Sequence, residues 1–211
     1  MNNYIQILNA DLVRIEELIK LMLPAPSDYE LLLSLYHLYM KHQNTNVLID
    51  YADSLLKSGE SIDQLLEDAR ELNRLATGCY QLYTDNHQSF DSIDNDSLLH
   101  AHMKPFDEAE KSEAAIAAQL WKEYQHLSNR LDFTNHEDEI FMELEAKCDD
   151  TKSRYDTHQT RVKELHERWQ NELNRCTDAF SFRLEDLSLV LIYMQRISLS
   201  IIDTITKPKG E

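Results

Sequence analysis

The chain has 211 residues, 42% of them hydrophobic, and a formal net charge of −17. It is long enough to bury one sizeable core or two small ones and too apolar to be disordered, while its negative charge repels nucleic-acid phosphates and anionic membrane surfaces. Only 3 Gly and 4 Pro are present, too few for the turns of a sheet protein, so the expected fold class is all-α: a helical bundle with long, heptad-patterned, coiled-coil-like helices in the C-terminal half.

Residues 3–23 place Ile5, Leu8, Leu12, Ile15, Ile19 and Met22 at alternating spacings of three and four, the stripe of an amphipathic helix, before Pro24 and Pro26 end it. Ser27 and Glu30 have capping-box spacing and open a second helix with Leu31, Leu32, Leu35, Tyr36 and Tyr39 on its apolar face. A polar turn at Asn44, Thr45 and Asn46 leads to a short helix through Leu48, Tyr51, Ala52 and Leu55, stopped by Ser58 and Gly59. Ser61 and Gln64 repeat the capping spacing before the stripe of Ile62, Leu65, Ala69, Leu72, Ala76, Cys79 and Tyr83. Short connections favour antiparallel neighbours, so residues 1–84 are expected to form a four-helix region.

Asn, Asp and Ser dominate residues 85–106, which reads as an acidic, polar linker. Residues 107–206 then contain neither Gly nor Pro and are expected to form a long-helix hairpin or bundle, followed by a polar tail at 207–211. Leu120, Leu127, Thr134, Phe141, Cys148, Tyr155, Val162, Trp169 and Cys176 recur at every seventh position. The companion position is irregular: Ala117, Tyr124 and Leu131 serve it early, Leu144 and Leu165 later, on the other flank. Breaks are expected at 132–136, where Thr134 and Glu137 have capping spacing, and near Thr177 and Asp178. The last helix, from about 178 to 205, carries Phe180, Leu184, Leu187, Leu191, Met194, Ile201 and Ile205 in one heptad frame. Being apolar around much of its circumference, it is expected either at the centre of a bundle or in an oligomer interface.

No motif assigns a reaction, and no catalytic residue, cofactor or metal site is expected. Glu123 and His126 share the Glu-x-x-His spacing of di-iron bundles, but such a site needs a second copy with two further Glu residues and no second Glu-x-x-His occurs, which leaves a solvated helix face. His100 and His102, with His87 or nearby Asp residues, have the chemistry of metal ligands but read as exposed loop histidines. Asp91, Asp94 and Asp96 lack the turn Gly and closing Glu of a calcium loop, and His136 and Glu137 do not extend to a zinc-protease motif. The cysteines Cys79, Cys148 and Cys176 form no CxxC or other metal spacing and read as core filler, as Trp121 and Trp169 read as seam anchors. The carboxylates Asp107, Glu108, Glu110 and Glu113, and again Glu137, Asp138 and Glu139, are placed at expected helix starts, where the macrodipole favours them.

These readings lead to a non-enzymatic interaction or scaffolding protein that docks a partner helix, or a second copy as a homodimer, through helical seams. The candidate interface comprises Phe141, Leu144, Tyr155, Val162, Leu165, Trp169, Leu187, Leu191, Met194, Ile201 and Ile205. Alternatives are an acidic accessory or chaperone protein of a bacterial secretion or assembly system, and a nucleic-acid mimic that inhibits a basic partner. No apolar stretch is expected to reach the roughly 20 residues of a spanning helix. With no charged signal-peptide flank before the first apolar residues and unpaired cysteines, the expected setting is the cytoplasm, without membrane insertion or direct nucleic-acid binding.

Overall fold

The computed structural model describes residues 4–23, 28–44, 49–50, 53–54, 62–135 and 139–207. Of the described residues 91% are helical and none lies in a strand, so the all-α expectation holds. Six helices are described from end to end: α1 (Tyr4–Met22), α2 (Tyr29–His42), α3 (Ile62–Asp91), α4 (Asn95–Asp132), α5 (Glu139–Thr177) and α6 (Leu184–Thr206). The short helix expected through Leu48 and Leu55, and the capping residues Ser27, Ser61 and Glu137, lie outside the described residues. The described cap of α2 is Asp28, whose Oδ1 accepts the Glu30 N–H at 2.9 Å.

The chain forms two compact units, residues 1–98 with 178–211, and residues 99–177. In the first unit α3 packs on both α1 and α6, and α2 packs on the same two helices, a four-helix arrangement. The stripe read from α1 is its buried face: Ile5, Leu8, Leu12, Ile15, Ile19 and Met22 are all sealed. They meet Leu65, Ala69, Leu72, Ala76 and Cys79 of α3, and the Cys79 thiol donates to the Leu12 carbonyl across the seam. Burial pushes this thiol up to about 12, so it stays protonated as a small apolar filler. On the far side of α3, Leu187, Val190, Leu191, Met194 and Ile201 of α6 are buried, and Gln195 reaches the Ala76 carbonyl at 3.3 Å.

Four boundary expectations are corrected. First, the polar stretch 85–106 is helical except at residues 92–94. Several of its side chains are satisfied locally, with Asn86 donating to the Leu82 carbonyl and Ser92 to that of Ser89. Phe90 continues the stripe of Cys79 and Tyr83, stacking on Tyr83 at 6.0 Å. Second, α4 begins at Asn95, not after Pro105, because Asp94 caps it by accepting from the Asp96 N–H and the Ser97 hydroxyl. The Asp91, Asp94 and Asp96 cluster is thus part of a helix start. Third, Asp107, Glu108, Glu110 and Glu113 lie within α4 rather than at its N-terminus, so the macrodipole does not explain them.

Fourth, the last helix starts at Leu184 and belongs with α1–α3, not with the preceding long helices. Residues 178–183 are non-helical; Phe182 is 3% exposed and rests against the rings of Tyr36 and Tyr39, whereas Phe180 is 40% exposed. At the start of α6 the Arg183 N–H donates to Asp186 Oδ2 at 3.1 Å, and the Asp186 N–H donates to the Arg183 carbonyl at 3.0 Å. With 23 residues and a mean hydropathy of 1.3 over an 18-residue window, α6 is long and apolar enough to cross a membrane by length and composition, contrary to the expectation that no segment is. Here its apolar face fills the core of the first unit.

Two substitutions separate core from surface. Leu191, 1% exposed, is expected to cost about 2–5 kcal/mol when changed to Ala, the range for emptying a packed site. Gly78 lies exposed within α3, where an added Cβ meets nothing within 4 Å, so Gly78→Ala is expected to stabilise by about 0.5–1 kcal/mol. Urea unfolding midpoints check both.

Candidate site in the helical hairpin

The second unit is built from α4 and α5, which run antiparallel: His102 faces Glu172, Glu110 faces His166, Glu113 faces His158 and Trp121 faces Tyr155. The break expected at 132–136 is where α4 ends, and the break near Thr177 is where α5 ends. On α5 burial repeats at spacings of three and four through Phe141, Leu144, Cys148, Thr151, Tyr155, His158, Val162, Leu165, Trp169, Glu172 and Cys176. The partner stripe on α4 runs through Met103, Phe106, Glu110, Glu113, Ala117, Leu120, Tyr124, Leu127 and Leu131. The companion position on α5 therefore does not drift. It lies three residues after each apolar repeat, but holds Thr151, His158 and Glu172 as well as Leu144 and Leu165.

Polar groups bridge the helices where apolar ones are missing. His158 Nδ1 and Glu113 Oε1 are 2.5 Å apart, with Arg161 at 3.9 Å from the same oxygen. His166 Nδ1 lies 3.1 Å from Glu110 Oε1, and His166 stacks on Trp169. Further along, Trp121, Tyr124 and Tyr155 form an aromatic cluster, with the Lys152 ammonium 4.8 Å from the Tyr155 ring centroid and within 5.8 Å of the other two. Asp156 accepts from the same ammonium at 2.6 Å.

The densest cluster joins α4 to the last turns of α5. Glu172 Oε1 lies 2.7 Å from His102 Nε2 and 3.7 Å from Cys176 Sγ. Arg175 reaches the same carboxylate, its Nη2 at 2.5 Å from Oε1 and its Nε at 3.1 Å from Oε2. Hydrogen bonding from Arg175, and then from His102, outweighs the cost of partial burial and brings the Glu172 carboxyl down from 4.5 to about 2. His102 and Glu172 side chains are each 16% exposed, and Cys176 is sealed.

The sequence-derived candidates are dispersed by the fold. Leu187, Leu191, Met194 and Ile201 are buried among the helices of the first unit, and Ile205 is half-buried, so α6 is a core helix along this face and not a free interface. Leu144 is buried between α4 and α5, while Phe141, Tyr155, Val162, Leu165 and Trp169 are half-buried along the same stripe. His87 is exposed and tied to the Thr84 carbonyl of its own helix, and His100 is exposed. Glu123 and His126 are both exposed on α4.

Sequence reasoning missed Glu172 and Cys176 as partners of His102, some seventy positions away. It also missed Phe133, Ile140 and Met142 beside the turn, which are 92%, 59% and 70% exposed. The available signal was that these three large apolar residues fall off the seven-residue repeat, in an otherwise polar stretch. The chain matches no protein-family model, no curated protein and no solved structure, so its chemistry is argued from its own residues.

The Glu172 network has a pH signature. Because the folded carboxyl is depressed, its contribution is fully present above the ordinary range near 4.5 and is lost as pH falls through about 2. Glu172→Gln is expected to flatten the stability profile across that window, as read from unfolding midpoints measured from neutral pH downward.

Proposed function

We propose that this chain is a non-enzymatic helical interaction protein that associates with a second copy through the coiled-coil-like hairpin of α4 and α5. The observation that carries the reading is the exposure of three large apolar residues, Phe133, Ile140 and Met142, within one short stretch of chain where α4 ends and α5 begins. Single surface apolar residues are ordinary, but several large ones in an otherwise polar stretch favour a contact surface. Burying each stabilises by about 1.5–3 kcal/mol.

Two features favour a like partner. Two helices cover only one side of each other's stripes, which leaves Tyr155, Val162 and Trp169 half-exposed for further helices to cover. α5 carries charges of both signs, seven Lys and Arg beside nine Asp and Glu, so opposite charges are at hand to set the register of paired hairpins.

Light scattering in line with size exclusion, over a concentration series, tests this. The expected result is a dimer or larger assembly that the double variant Phe133→Ser, Met142→Glu converts to a monomer with unchanged helical content, since neither position contributes to the core. Wild-type protein that stays monomeric at every concentration overturns the proposal.

A further inference from the structure

We propose that His102, Glu172 and Cys176 form a binding site for a divalent transition-metal ion of the zinc and cobalt class, independently of the association described above. The three donor atoms, one from each residue, lie within 4.8 Å of one another. Their placement follows from the hairpin. Glu172 and Cys176 are one turn apart on the same face of α5, and His102 approaches from α4.

The spacing suits a small tetrahedral ion. Zinc takes imidazole nitrogen and carboxylate oxygen at about 2.0–2.2 Å and thiolate sulfur at about 2.3 Å, which sets donors roughly 3.3–3.6 Å apart. The 3.7 Å between Cys176 Sγ and Glu172 Oε1 already meets this, and the 2.7 Å between His102 Nε2 and Glu172 Oε1 opens by about half an ångström through side-chain rotation. The donor set also selects the metal. One imidazole, one carboxylate and one thiolate fit zinc or cobalt, whereas magnesium and calcium demand oxygen ligands throughout.

Charge and outer contacts agree. A thiolate with a carboxylate balances the charge of a dication, and the Cys176 proton is released to solvent when the metal binds. Arg175 holds both oxygens of Glu172, its Nε at 3.1 Å from each and its Nη2 at 2.5 Å from Oε1; on metal binding it keeps Oε2, which orients the carboxylate, and yields Oε1 to the metal, its side chain being 40% exposed. Water supplies the fourth ligand, as at sites with three protein donors.

Cobalt titration of chelator-stripped full-length protein tests the site. The expected result is one cobalt per chain with a near-ultraviolet thiolate-to-cobalt band and the strong visible absorption of a tetrahedral ion. The band should vanish in Cys176→Ser and persist in Cys148→Ser. His102→Gln, at a less buried position, should lower the affinity by at least about tenfold, the smaller loss seen when even an outer partner of a ligand is removed. Zinc should raise the melting temperature of wild type by more than that of His102→Gln at the same zinc concentration. Absence of the thiolate band in wild type, or a band unchanged by Cys176→Ser or by His102→Gln in variants whose circular dichroism is native, overturns the assignment.

Discussion

The packing of α6 on α3 is the constraint from which the rest of the architecture follows. These two helices share a core, yet residues 92–183 separate them in the chain. The intervening segment must leave the first unit and return to it, and two antiparallel helices of 38 and 39 residues are the simplest continuous way to do so. The apolar excess of α6 belongs to the same constraint. A helix covered by both α3 and α2 needs a wide apolar face, and that width is also why its composition alone resembles a membrane span.

The hairpin obeys a different balance. Each helix has one neighbour in its unit, so a fully apolar stripe would remain partly wet along its length. His158, His166 and Glu172 on one side, with Glu113, Glu110 and His102 on the other, replace apolar contact by hydrogen bonds that are satisfied in one register only. Sliding either helix by one heptad would leave partly buried carboxylates and imidazoles without partners, which costs more than the contacts themselves contribute. Register is thereby specified more strongly than the apolar positions alone would specify it.

The legible parts of the fold were those governed by periodicity. The stripe of α1, the long repeat of α5 and the turn after Asp132 could all be read because apolar spacing and capping residues are local signals. The linker assignment at 85–106 failed because Asn, Asp and Ser were weighed by composition, whereas Phe90, Leu98, Met103 and Phe106 keep the apolar face alive beneath them. Pro105 misled for a related reason. It removes one N–H from the ladder and leaves the Ala101 carbonyl without that partner, a loss that a helix of this length tolerates. Partners were illegible in principle: nothing near His102 in sequence points to Glu172 and Cys176, and nothing in the α6 pattern says which helices cover it.

Asn95, the first residue of α4, has a consequence beyond opening that helix. Its side-chain amide donates to the carbonyls of Phe180 and Phe182, so the outgoing and returning chain are clasped to each other inside the first unit. Everything between the two clasped points is then an insertion whose extent is decoupled from the four-helix core. Removing or adding seven residues in each long helix keeps both stripes in phase, because burial in both repeats with that period. The chain thus carries an adjustable ruler, its length set in heptad steps while the core that anchors it stays the same.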